Sequence, residues 1–415
     1  MQDMTITAIG AQGDGLSRFD DGKPAFVPLT LPGETVRARM DGSRGEVVEI
    51  LTASNDRVAP PCKHFGHCGG CALQHWAAGP YLGWKAEQIR IQLSMEGLET
   101  EILPTFAAPP ASRRRVALHA RRGAKGQGAL LGFKERRSWS LVTIEECPVT
   151  DPRLVAAFPA LARLAEPFLE HPKSAPTLHV TLTATGLDID VTGVERKSGG
   201  LSADARMRAA MAASEGDFAR VTLAGETVYG ARQPMVKLGP AVVALPPGGF
   251  LQAVPAAERA MVEFAVAQVQ GAARIADLYC GVGTFTFRLA EVGAVYAAEM
   301  SPPAIAALKF ALGAASGLKP ITAEARDLVK RPVLSTELAK TDVVVIDPPR
   351  AGAAEQTVEI AKSKVAKVVS VSCNPGTFAK DARALVDAGF RLEKVLPVDQ
   401  FVWSPHIELV GVFTR

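Results

Sequence analysis

After about residue 236 the chain alternates short apolar runs, RIADLYC, VYAAEM, DVVVIDPP and KVVSVSC, with Ala-rich stretches of helical length. Runs this apolar can be buried on both faces only if helices cover the sheet they form, so the alternation demands a doubly wound α/β domain. Two further β-like runs, RLEKVLPVDQF and HIELVGVFTR, suit an antiparallel hairpin at one sheet edge. Ligands of such folds meet the loops at the carboxyl ends of the strands.

A chain of 415 residues exceeds one ordinary core. Residues 1–52 read as short strands separated by turn signals and suit a small β-barrel, which resembles the TRAM domain, an OB-like module found on several RNA-modifying enzymes. Residues 53–75 form a loop rich in Pro, Cys, His and Gly. A helix is expected over Tyr81 to Gly97, and alternating runs up to about residue 235 predict a mainly antiparallel sheet with a helix around 151–169. The divisions are therefore 1–52, a central α+β domain at 53–235, and 236–415. No run reaches the roughly 18 apolar residues of a membrane span, and the first residues lack a secretory pattern, so a cytoplasmic protein with no membrane contact is expected.

Net charge is only +3, yet Ser112 to Arg137 holds seven Arg and two Lys against one Glu, net +8. Such a concentration suits a polyanion and marks the central domain as an RNA-binding candidate; a solvated hairpin explains it as well. Residues 1–55 carry eight acids against five bases and add no such footprint. Cytosolic cysteines do not form a disulfide framework, so their spacing must carry the meaning. Cys62, Cys68 and Cys71 cluster around a Gly-Gly pair, and Cys147 is a plausible fourth ligand. Four thiolates suit zinc or an iron–sulfur cluster, and the nearby His64, His67 and His75 keep zinc open.

The run RIADLYC leads into Gly281-Val282-Gly283-Thr284-Phe285, a glycine turn that lets a ligand approach the backbone. A dinucleotide site would place a third glycine where Thr286 stands. The form present resembles motif I of class I methyltransferases. Glu299 ends the next strand, 22 residues after Asp277, where an acid can bond both ribose hydroxyls. By the same resemblance Tyr279 contacts the methionine or adenosine portion and Asp327 the adenine amine, although Asp327 also reads as a helix N-cap.

Asp347-Pro348-Pro349-Arg350 and Ser372-Cys373-Asn374-Pro375 end the fourth and fifth strands and open on one rim. Amino methyltransferases have an aromatic residue after the two prolines to stack a base; here Arg350 stands there. Carbon 5 of uracil is a poor nucleophile, and a thiolate adding at carbon 6 makes it reactive, a task for which Cys373 is placed. An electropositive rim or a nearby base is expected to help ionise the thiol. The carbon-5 proton must then leave, and Glu408, in an otherwise apolar run, is the candidate base. Cys280 reads as a small buried apolar residue, and Phe250 as a core residue or a stacking platform.

At this point the motifs F-L-Q, D-L-Y-C-G-V-G-T-F, D-P-P-R-A-G, S-C-N-P-G-T and P-H-I-E, in this order, resemble the RNA uracil-5-methyltransferase family over nearly the whole chain. The resemblance implies a class I methyltransferase domain, S-adenosylmethionine lined by Gln252, Tyr279, Thr284, Glu299, Asp327 and Asp347, attack by Cys373, and proton removal by Glu408. Relatives carry Asn where Thr284 stands. It also implies a [4Fe-4S] cluster on Cys62, Cys68, Cys71 and Cys147; a radical enzyme would need a tighter C-x3-C-x2-C on a barrel. The TRAM-like module together with the cluster favours 23S ribosomal RNA over transfer RNA, and a monomer is expected. The competing reading is a catalytically silent RNA-binding iron–sulfur protein.

Overall fold

The computed structural model describes residues 1–195 and 200–415, and the described residues form four sheets. In the largest, Ile321–Ala325, Ala294–Glu299, Arg274–Leu278, Val343–Ile346 and Lys367–Ser372 lie side by side and parallel. The order reverses at the first of them in sequence, Arg274–Leu278, which opens a crevice beyond its carboxyl end. Glu408–Thr414 inserts antiparallel between Lys367–Ser372 and Arg391–Asp399. Val343–Ile346 is buried throughout, as its unbroken apolar run requires. One core, around Met261, Ile275 and Val369, lies under the helix Pro255–Gln268, and a second, around Leu93, Val344 and Phe378, under Pro375–Asp387.

Residues 78–107 join this sheet although they precede the central one in the chain. The helix Ala78–Met95 buries Ile89 and Leu93 in the second core, and Glu101–Ile102 and Phe106–Ala107 pair with Arg391–Asp399. The central sheet has seven strands, antiparallel but for Gly186–Thr192 beside Arg220–Leu223, and the helices Phe158–Ala165 and Ala203–Glu215 cover one face. The helix expected around 151–169 is broken into Pro152–Ala156, Phe158–Ala165 and a 3-10 turn, Glu166–Leu169. Pro159 and Pro167 lack the N–H that a continuous helix would use there. Residues 2–52 form a barrel-like sheet of six strands around Ile6, Val27 and Val36. Trp84 bonds it to the catalytic half, its indole donating to the Ile9 carbonyl at 3.0 Å.

Candidate active site

Tyr279, Gly281 and Gly283 all have positive φ, of 61°, 56° and 100°, so the chain turns sharply after the first strand of the parallel set. A Cβ at Gly283 would come within 2.5 Å of the Phe287 ring, which explains glycine there. Glu299 is seated by the turn itself: Gly281 N–H donates to one oxygen at 3.2 Å and Ser301 N–H to the other at 2.9 Å. Asp277 is fully buried and accepts from the Thr286 hydroxyl, while its other oxygen has no partner among the described residues. Burial pushes its carboxyl up to about 7. Burial, reinforced by Glu355, Asp381, Asp327 and Glu299, likewise pushes the Tyr279 hydroxyl up to about 12. The crevice is thus ringed by acids and suits a cationic ligand.

Two of the residues expected at the cofactor also have other surroundings. Asp327 accepts from Val329 and Lys330 N–H groups at 3.1 and 3.2 Å and so holds a turn; no helix starts there, and the N-cap reading does not apply. Thr284 lines a separate cavity of about 500 Å³ with Arg114, Glu258 and Arg288, where none of the other expected cofactor residues stands.

Cys373 follows the strand Lys367–Ser372 and is half-buried. Its loop is held by Asn374, which caps Pro375–Asp387 through Gly376 N–H at 3.0 Å and donates to the Arg350 carbonyl at 3.2 Å. Of the two aids expected for the thiol, an electropositive rim or a nearby base, the first is outweighed by acids. Burial first, then the Glu408 and Asp347 carboxyls, push the thiol up to about 11, and Arg350 opposes them only in part. Glu408 is 4% exposed, and burial together with Asp347 pushes it up to about 8. Asp347 is pushed up to about 7 by burial.

A chain of side-chain hydrogen bonds joins these groups. The Gln252 amide donates to Asp347 Oδ2 at 3.2 Å, and the Gln400 amide donates to Gln252 Oε1 at 2.8 Å and to Glu408 Oε1 at 3.0 Å. Glu408 Oε2 is buried without a partner among the described residues. A charged network lies beneath: Lys85, wholly buried, pairs with Asp399 at 2.9 Å and also donates to the His406 carbonyl, and the Tyr81 hydroxyl donates to Asp399 at 2.7 Å. Sequence reasoning missed Gln400, Lys85 and Asp399, since a Gln after a strand and a Lys within a helix carry no motif.

Cys62, Cys68, Cys71 and Cys147 all line one cavity of about 330 Å³, shared with Arg113, Phe401 and His406. No three His, Cys, Asp or Glu side chains among the described residues stand as a ready-made ion site. The four thiols surround a space instead. From the cysteine loop, Ala72 and Leu73 N–H groups donate to the Trp403 carbonyl at 2.8 and 3.0 Å, tying that loop to the one that precedes Glu408.

The basic segment is mostly consumed by structure. Arg114 pairs with the buried Glu258, Arg115 donates to the Leu251 carbonyl at 2.8 Å, and Arg136 and Arg137 hold buried Asp14 at 3.0 and 2.7 Å. Charge counting therefore overstates the free basic surface. Phe250 is 62% exposed, with the Arg115 guanidinium 5.5 Å from its ring centre, so it is not a core residue.

Strand order, glycine turn and acidic crevice define a class I S-adenosylmethionine-dependent methyltransferase. The family model described as tRNA (uracil-5-)-methyltransferase matches residues 243–415. An RNA methyltransferase of Caulobacter vibrioides is 86% identical over 100% of both chains. A 23S rRNA (uracil(1939)-C(5))-methyltransferase of Halomonas elongata is 33% identical over 98% of this chain and 88% of its own. In structure the chain is similar to the tRNA (uracil-54, C5)-methyltransferase of Pyrococcus abyssi, solved with S-adenosyl-L-homocysteine, with a TM-score of 0.73 and 23% identity over 99% of each. The chain belongs to the RNA (uracil-5-)-methyltransferase family, whose reaction moves the methyl group of S-adenosylmethionine to carbon 5 of a uridine in RNA.

Proposed function

We propose that this enzyme methylates a uridine of 23S ribosomal RNA through a covalent adduct on Cys373, with Glu408 as the base. The observation that carries the mechanism is the placement of a half-buried thiol and a buried carboxyl at the ends of paired strands. Bound S-adenosylmethionine supplies a methyl group on a positively charged sulfur; Gln252, Tyr279, Glu299, Asp327 and Asp347 would border it, and Thr284, which lines a separate cavity, is not assigned to it. The Cys373 thiolate forms a bond to uracil carbon 6, and the C5–C6 electron pair shifts toward the carbon-4 oxygen, leaving carbon 5 able to take the methyl group. Glu408 then removes the carbon-5 proton, the C5–C6 double bond re-forms, and the thiolate leaves. Both ring faces take part, so the uridine must be unstacked from its neighbours.

The ribosomal substrate is supported by the Halomonas relative, alike over almost the whole chain. The four cysteines around one cavity support a [4Fe-4S] cluster there, a group larger than a single ion. The same reading gives three units, a TRAM-like 1–52, an RNA-binding 53–235 apart from residues 78–107, and a catalytic 236–415 whose sheet those residues join, in a monomer. No helix of the described residues is long and apolar enough to cross a membrane, and a cytoplasmic location is part of the proposal.

The test is to supply the enzyme with a deuterated methyl donor and unmodified total RNA, then locate label by nucleoside mass spectrometry. Labelled 5-methyluridine in 23S RNA supports the reading. Label in transfer RNA moves the substrate and keeps the chemistry; label on a purine overturns both.

A further inference from the structure

Gln400 follows the strand Arg391–Asp399 and is 1% exposed. Its amide orientation is decided by its neighbours. The Ala253 N–H can only donate, and it reaches Gln400 Oε1 at 3.1 Å, so the amide nitrogen must face the other way. There it meets two acceptors, Gln252 Oε1 at 2.8 Å and Glu408 Oε1 at 3.0 Å. Gln252 is oriented in turn, its own nitrogen directed at Asp347 Oδ2 at 3.2 Å. One backbone donor therefore sets the direction of every bond from Ala253 to both carboxyls. Among the described residues no other group donates a hydrogen bond to the Glu408 side chain, whose Oε2 is left free.

We infer that Gln400 is a positioning residue for the base: it pins Glu408 Oε1, leaving Oε2 for the carbon-5 proton, and fixes Gln252 toward Asp347. The inference rests on the reading of Glu408 as the base. Other charged and titratable groups act around Glu408. Asp347 comes from the loop after Val343–Ile346 and Cys373 from the loop after Lys367–Ser372. Arg350 acts on both Cys373 and His406, and Arg113 also acts on His406. The Lys85–Asp399 pair adjoins Gln400, and Lys85 bonds the His406 carbonyl. Of these, Asp347 raises the proton affinity of Glu408, whereas the Gln400 bond favours its ionised form.

The experiment compares the full-length enzyme with Q400M, which keeps the bulk without the donor, and Q400N, which keeps the amide without the reach. RNA methylation and the covalent enzyme–RNA adduct are followed across pH. Both variants are expected to form adduct and to accumulate it at neutral pH. The midpoint for its release moves up by about one pH unit, a tenfold change in proton affinity, so alkaline buffer restores release. A wild-type midpoint in both variants overturns the inference. So does a loss of rate equal at every pH with no adduct in either, because that marks packing alone. E408Q separates the two readings. If E408Q turns over normally, the base assignment fails, and if E408Q traps adduct while both Gln400 variants release it normally, only the role of Gln400 fails.

Discussion

Cys373 and Glu408 are 35 residues apart in the chain and stand next to the same register pair, Ser372 opposite Leu409. The sheet itself brings the thiol and the carboxyl to one level of the rim, with no loop closure needed. So placed, Glu408 and Asp347 raise the proton affinity of the thiol, and Asp347 raises that of Glu408.

Removing either group should stop the reaction at a different point. Cys373→Ala is expected to abolish both turnover and the covalent adduct. Glu408→Gln should still form the adduct and slow its release by about 10²- to 10⁴-fold. Denaturing gels of enzyme and labelled RNA distinguish the two, and persistent methylation by Cys373→Ala would sink the nucleophile assignment.

The thiol, pushed up to about 11, should be sluggish in the cofactor-free enzyme. Its alkylation by iodoacetamide is expected to be slow at neutral pH and to climb steadily above about pH 9. A cofactor analogue with a positive charge at the sulfur position should move that climb toward lower pH, and neutral S-adenosylhomocysteine should move it less. Equal profiles with the two ligands would show that the cationic centre does not ionise Cys373.

Asp277 and Asp347, each pushed up to about 7, and Glu408, up to about 8, keep their protons longer in the folded chain than in the unfolded one. The stability they contribute is complete below their unfolded values near 4 and is lost as pH rises through 7 to 8. The cofactor-free enzyme should therefore melt at progressively lower temperature from about pH 5 to about pH 8.5. Glu408→Gln should flatten the upper part of that decline, as differential scanning fluorimetry across pH would show.

Lys85 and Asp399 form a buried pair joined by Tyr81. Lys85→Met leaves a buried carboxylate without its cation and should cost about 3–5 kcal/mol. Adding Asp399→Asn should recover part of the loss. A chemical-denaturation midpoint unchanged in Lys85→Met would show that the pair carries little of the stability.

If the four cysteines hold an iron–sulfur cluster, Cys147→Ala should lower iron per chain and the visible absorbance of the purified protein. Full iron content with unchanged RNA affinity would count against Cys147 as a ligand.

The sequence pointed to these sites wherever the chemistry demands a rare residue at a strand end. Cys373 and Glu408 stood out as candidates because a thiol in S-C-N-P-G-T and an acid in an apolar run have few other uses, and the structure brings the two together. Gln400 was not, since its importance comes from three partners at distant positions. The arginines of 113–137 were only partly legible: charge can be counted in a sequence, but the acids that pair with it, Asp14 and Glu258, lie elsewhere in the chain. Of the two readings of Phe250, core residue or stacking platform, its exposure beside Arg115 excludes the first. The pairing of residues 101–107 with Arg391–Asp399 rests on two-residue strands that no periodicity can reveal.

The bonds from Ala72 and Leu73 to Trp403, and from Lys85 to Asp399, 314 residues further along, bear on how the protein is made. A ribosome has released the early partners long before it synthesises the late ones. Until then Lys85 has no counter-charge, and the loop that precedes Glu408 does not exist. A chain cut short before residue 399 would leave Lys85 without its ion pair and the cysteine loop without the Trp403 carbonyl.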